Sequence, residues 1–103
     1  MGRLNKVAKL GDLPPGEGMV IEVEGKDIAL FNVEGVFYAL DNVCPHRGGP
    51  LGEGFLQGKI VTCPWHGWKF DVTTGRSSVN PEASVSCYTV KVEGEDILVE
   101  LPA

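Results

Sequence analysis

An antiparallel all-β fold is predicted by three features of the sequence. Apolar residues recur in short runs with the alternation or continuity of strands. The separators between those runs carry a glycine where a tight hairpin needs one. The 103 residues include 14 glycines and 7 prolines, roughly a fifth of the chain, which is high for a helical bundle yet below the quarter or so typical of low-complexity sequence.

The first third holds three such runs, at Met19–Val23, Ile28–Val33 and Val36–Leu40. Glu24-Gly25-Lys26-Asp27 divides the first two and Glu34-Gly35 the next two, so the spacing predicts a three-stranded meander. Near the other end Val92-Glu93-Gly94-Glu95-Asp96-Ile97 echoes Val23-Glu24-Gly25-Lys26-Asp27-Ile28, predicting one more hairpin. Its arms are Ser86–Val92, with Tyr88, Val90 and Val92 facing inward, and Ile97–Leu101. Cys87, one residue out of phase with Tyr88, is placed on the opposite face. The less regular middle, at about residues 44–85, reads as an insertion between the two β-rich ends of a single domain spanning 1–103.

Composition narrows the function. A net charge of −5 argues against a nucleic-acid partner, because phosphate backbones attract basic surfaces. There is no apolar run near the 18 or so residues of a membrane span and no signal-peptide core, so a cytoplasmic protein with no membrane association is expected. Lys6 stands where a myristoylation start would need Ser or Thr. Three cysteines, Cys44, Cys63 and Cys87, are an odd count that favours metal or thiol chemistry over a disulfide framework.

Both histidines lie in the middle segment, in Cys44-Pro45-His46-Arg47-Gly48-Gly49 and Cys63-Pro64-Trp65-His66-Gly67-Trp68. Each motif offers one thiolate and one imidazole, stiffened by a proline and followed by glycine, and each follows a β-run that would hold it. Four soft or borderline ligands are thereby poised together. Zinc bound by two cysteines and two histidines, in a zinc-stabilised interaction module, is one reading, although finger-type spacing keeps the thiolates together on one side and the imidazoles on the other. A Cys–His nucleophile pair is another, although the two loops would then need different roles.

At these residues the chain resembles the Rieske iron–sulfur family, and the C-P-H-R-G and C-P-W-H-G-W wording is similar to that of its soluble ferredoxins. The similarity runs on through Leu51-Gly52, Phe70-Asp71, Thr74-Gly75 and the Tyr88-x-Val90-x-Val92 strand. It implies a Rieske-like antiparallel β-sandwich with a cluster-binding subdomain formed by two loops. It also implies one [2Fe–2S] cluster, with Cys44 and Cys63 on one iron and His46 and His66 on the other. The respiratory branch of the family has a loop disulfide where this chain has Gly49 and Trp65, and a serine that hydrogen-bonds a bridging sulfide where it has Trp68. Loss of that hydrogen bond predicts a low potential, near the lower end, roughly −150 mV, of the Rieske range.

The resemblance further implies an electron carrier with no catalytic residues of its own. It would be a monomer when free, taking electrons from a flavin-containing NAD(P)H reductase and passing them to the terminal oxygenase of an aromatic ring-hydroxylating system. The alternative it implies is the small subunit of an assimilatory NAD(P)H nitrite reductase, held by a large subunit. Arg47 is read either as a rim contact for partners or as a solvated surface arginine, and Trp65 and Trp68 as shielding or packing, with packing favoured for Trp68. Pro81 is read either as part of a third loop over the cluster, although the family's glycine-proline wording is absent, or as a plain surface turn.

Overall fold

The computed structural model describes residues 3–42, 50–64, 67–77 and 84–101. Their strands are β1 (Arg3–Lys9), β2 (Gly18–Val23), β3 (Lys26–Val33), β4 (Val36–Asp41), β5 (Phe55–Gln57), β6 (Ile60–Thr62), β7 (Lys69–Asp71), β8 (Cys87–Glu93) and β9 (Asp96–Leu101). Short 3₁₀ turns occupy Leu10–Asp12 and Leu51–Glu53. Every pairing between these strands is antiparallel, as the predicted fold class requires.

One sheet has six strands in the order β1-β9-β8-β4-β3-β2, and a smaller one has three, β5-β6-β7. The large sheet coils so far that its edge strands β1 and β2 approach each other, where Asn5 Nδ2 donates to Glu24 Oε2 at 3.4 Å. The result is nearly a barrel. Its interior is a core of Leu13, Ile21, Val23, Ile28, Leu30, Ala39, Ile97, Val99 and Leu101. Alternation sends the next residues of β3 and β4 the other way: Ala29, Phe31 and Leu40 pack outside the barrel against Leu51, Val61, Phe70, Val72 and Val85 of the smaller sheet and its connections. This double burial explains why Ile28-Ala29-Leu30-Phe31 is continuously apolar, since a strand covered on both faces loses the polar alternation of a half-exposed one.

The predicted meander is β2-β3-β4. Its turns place Glu24 at φ 51° with Gly25 at 81°, and Glu34 at 52° with Gly35 at 94°. Two consecutive positive φ values define the hairpin turn whose twist matches that of the flanking strands. The echoing hairpin β8–β9 has the same wording in a different register. Val23 pairs with Lys26 in the first, whereas Val92 pairs with Ile97 in the second, so the turn there is Gly94-Glu95 and the glycine has moved from second place to first.

Two expectations are revised. Val92 is 47% exposed because β4 pairs with β8 only at Tyr88 and Cys87, leaving the far end of β8 without cover from that side; Tyr88 and Val90 do pack on the barrel core. The middle segment, expected to be irregular, contains the three-stranded sheet, whose strands of three residues each are too short to establish a period of two. No helix among the described residues is long and apolar enough to cross a membrane.

Glutamate is poorly suited to positive φ. Glu34→Asn is therefore expected to stabilise the protein by roughly 0.5 kcal/mol, about 2–4 °C in thermal midpoint for a domain of this size. A melting curve with an unchanged or lower midpoint would contradict the turn assignment.

Candidate metal centre

Of the four sequence-predicted ligands, Cys63 lies within the described residues. Cys44, His46 and His66 lie outside them, as do Arg47, Trp65 and Pro81. The surrounding frame nevertheless fixes where both ligand motifs leave the fold.

The segment bearing Cys44 and His46 leaves the end of β4 and rejoins the described chain at Pro50. Both sides of this loop are tied to one residue, Asn42, which is 6% exposed. Its carbonyl accepts from Leu51 N and its side-chain Oδ1 accepts from Gly52 N, each at 2.8 Å. Its own N–H donates to Asp27 O at 3.3 Å. Next to it, Asp41 Oδ1 accepts from Tyr88 Oη at 2.9 Å and lies 3.4 Å from Lys26 Nζ, while Lys26 stands over the Tyr88 ring at 5.5 Å. The Tyr88 hydroxyl first, then the Asp41 charge, raise the Lys26 ammonium above its ordinary value. Burial chiefly raises the Tyr88 hydroxyl, so the phenol stays protonated and able to donate. Asp41 thus buttresses the strand end from which the first loop departs.

The second motif connects β6 to β7. Thr62 pairs with Lys69 and Cys63 N donates to Trp68 O at 2.7 Å, closing the loop at its neck. Cys63 is 2% exposed and joins the outer core with Leu51, Val61 and Phe70. The Trp68 side chain packs at the margin of that core, as expected. Gly67, at φ 72°, supplies the left-handed turn near the loop's end.

The two loops share one end of the small sheet. Phe55, the first residue of β5 after the Cys44–His46 segment, pairs with Thr62, and Thr62 pairs with Lys69. One row across the sheet therefore carries the exit of the first loop and both ends of the second. Gly54 enforces this approach, since a Cβ there would run into the backbone carbonyl of Thr62. Gly52 is equally constrained: a Cβ would stand 2.8 Å from Met19 O and 3.0 Å from Asn42 Oδ1. Ser77 pairs with Phe70 and Arg76 with Ser84, so the segment bearing Pro81 also starts and ends beside β7. Asp71, at the far end of β7, holds the turn that begins that excursion: Thr73 donates from Oγ1 at 2.6 Å and from N at 2.9 Å, and Lys59 Nζ lies 3.6 Å away.

Sequence reasoning missed Asn42 and Gly54, and named Gly52 only as part of the resemblance, without its packing role. The available signal was the string Gly52-Glu53-Gly54, which repeats Gly16-Glu17-Gly18; Asn42 had none beyond its place after a strand. Cys87 is exposed, as predicted. Burial of its sulfur and then the nearby Asp71 raise its thiol above the ordinary value, which suits a bystander rather than a ligand.

Two motifs, each with a thiol and an imidazole in sequence, whose described flanks meet at one end of a small sheet packed on a near-barrel, fit an iron–sulfur domain. Comparison bears this out: the Rieske [2Fe–2S] domain model matches residues 3–99, and the chain belongs to that family. Its cofactor is a Rieske-type [2Fe–2S] cluster, and the buried sulfur of Cys63 in an apolar setting is a donor such a group requires. The chain is 41% identical over 93 residues to the ferredoxin component of a naphthalene 1,2-dioxygenase system from Pseudomonas aeruginosa, covering 89% of each chain. It matches a chain in the complex of reduced oxygenase and oxidized ferredoxin in carbazole 1,9a-dioxygenase with a TM-score of 0.86 at 31% identity, covering 93% of this chain and 91% of that one. A crystal structure of a putative NADH-dependent nitrite reductase small subunit from Mycobacterium tuberculosis matches with a TM-score of 0.92 at 25% identity, covering 100% and 98%.

Replacing Gly54 with alanine is expected to cost roughly 1–3 kcal/mol, because Thr62 and the neck of the second loop must shift. Gly11→Ala, at a glycine with nothing within 4 Å of a built Cβ, should change stability by no more than about 0.5 kcal/mol. Urea unfolding of both variants separates these outcomes.

A second expectation concerns Asp71. Burial, the largest single influence, works against its ionisation, but the Thr73 hydrogen bonds and Lys59 together outweigh it and hold the carboxyl below its ordinary 3.8. The stabilisation is fully present above pH 3.8 and is lost as pH falls through the lowered value. The stability gap between wild type and Asp71→Ala, measured by urea unfolding, should therefore narrow only below that pH.

Proposed function

We propose that this chain is a Rieske ferredoxin that carries single electrons to the terminal oxygenase of an aromatic ring-hydroxylating system, supplied by a flavin-containing NAD(P)H reductase. The observation that carries the reading is the shared sheet end: Phe55, Thr62 and Lys69 form one row, so the chain following the Cys44–His46 segment and both flanks of the Cys63–His66 segment meet there. Cys44 and Cys63 are assigned to one iron, and His46 and His66 to the other. Residues 1–103 are taken as a single Rieske unit, with the cluster-binding insertion at about 44–85.

When bound, such a cluster accepts one electron at a time, and two imidazoles in place of thiolates make that acceptance easier by reducing negative charge. The protein's part is to hold the Cys63 sulfur in an apolar core while the assigned imidazoles, His46 and His66, complete the ligand set. Trp68 offers no hydroxyl to a bridging sulfide, which supports a low potential. The net charge of −5 supports docking on electropositive partners. The oxygenase assignment rests on the names of the relatives. The protein is taken to be cytoplasmic, and monomeric when free.

The small-subunit reading is favoured by one observation, the TM-score of 0.92 to the nitrite reductase small subunit. The higher identity to the dioxygenase ferredoxin component, 41% against 25%, ranks the ferredoxin reading first.

Purified protein should be brown, with two irons and two acid-labile sulfides per chain, a reduced-state EPR signal whose average g lies below that of four-cysteine clusters, and a midpoint near roughly −150 mV. Changing any one of Cys44, His46, Cys63 or His66 to alanine should abolish the stable cluster. A colourless protein that binds zinc instead would sink the reading, and stable co-purification with a large sirohaem flavoprotein would move it to the nitrite reductase role.

A further inference from the structure

We infer that Asn42 is a positioning residue for the cluster: one side chain and its own carbonyl hold the two ends of the Cys44–His46 loop together and thereby set that loop against the second. The inference rests on the ligand assignment proposed above. Asn42 is buried, follows β4 directly, and accepts two hydrogen bonds at 2.8 Å from the far side of the loop, one through the backbone and one through Oδ1.

The span it closes, from residue 42 to residue 52, contains two of the four assigned ligands. The chain it grips on the far side is itself tightly constrained. Leu51 is fully buried in the outer core that also holds the Cys63 sulfur. Gly52 has no room for a Cβ between Val20, Met19 and the Asn42 side chain. Gly54 abuts the backbone of Thr62, one residue before Cys63. Fixing residues 51–54 therefore fixes the first loop's exit relative to the second loop's entry, and Asn42 is the group that links the first loop's entry to the same frame.

A residue that served stability alone would act on unfolding and leave the cluster's own properties unchanged. A clamp on the ligand loop acts on both. In Asn42→Ala the Gly52 N–H is left buried without its acceptor, a loss large enough to shorten the cluster's half-life in the presence of a chelator by about tenfold. The reduced EPR signal should also broaden or shift in g.

The control is Val99→Ala, which opens the barrel core away from the outer core; its chain should melt earlier and keep the wild-type EPR signal and cluster half-life. If Asn42→Ala does not fold, Asn42→Asp, which keeps an acceptor for Gly52 N, is compared with Asn42→Ser, whose hydroxyl is too short to reach it. The serine variant should shed its cluster faster. Variants at Asn42 that melt earlier but match wild type in cluster half-life and EPR signal, or a serine variant that holds its cluster as long as the aspartate one, overturn the inference while leaving the ligand assignment intact. A wild-type chain that forms no cluster after anaerobic reconstitution overturns the assignment and the clamp together.

Discussion

The burial of β3 and β4 on both faces is the constraint from which the remaining architecture follows. Ile28, Leu30 and Ala39 fill the barrel, while Ala29, Phe31 and Leu40 face the smaller sheet. A two-strand wall that is apolar on both sides is unstable until both sides are covered, because each exposed large side chain forfeits about 1.5–3 kcal/mol of burial. The barrel covers one side. The other can be covered only by bringing Leu51, Val61, Phe70, Val72 and Val85 onto it, which places the small sheet, and with it the Cys63 sulfur, at a fixed distance from the wall.

The frame of the site is then set by the chain ends that flank the two motifs. β4 ends at Asp41, braced by Tyr88 and Lys26, and the next residue, Asn42, catches the returning chain. β6 and β7 meet at Thr62 and Lys69, and the Cys63–Trp68 hydrogen bond seals the neck. Such bracing fixes the described ends of both motif-bearing segments relative to one another. Glycine is required at Gly52 and Gly54 for a steric reason rather than a conformational one: backbone must touch backbone for the two loops to start from one place.

Much of this was legible in the sequence. The meander and the closing hairpin followed from Met19–Val23, Ile28–Val33, Val36–Leu40 and the glycines between them, since alternation and turn chemistry are local signals. The family was legible in the wording of the two Cys-Pro motifs, which resembles that of Rieske ferredoxins, and the family match agrees. Three things were hidden. β1 lacks a continuous apolar run, its pattern being broken by Asn5, Lys6 and Lys9 and by the register shift between Lys6 and Ala8. The small sheet has strands too short for a period to emerge. Asn42 was hidden because an asparagine after a strand normally signals a turn, and only the long-range return of Leu51 and Gly52 gives it a second task.

The twin strings Val23–Ile28 and Val92–Ile97 carry a wider consequence. They share the pattern Val-Glu-Gly-x-Asp-Ile, yet the valine's partner differs by two residues and the turn by one, with Val23 opposite Lys26 and Val92 opposite Ile97. Turn chemistry accepts either arrangement, so the choice is made by distant partners: β1 covers Ile97 from the other side through Ala8, and the meander places Ile28 opposite Ile21. The closing hairpin is thus an ambiguous message resolved by its recipient. Grafted onto another scaffold, the same six letters would adopt whichever alignment the host's neighbouring strand rewards.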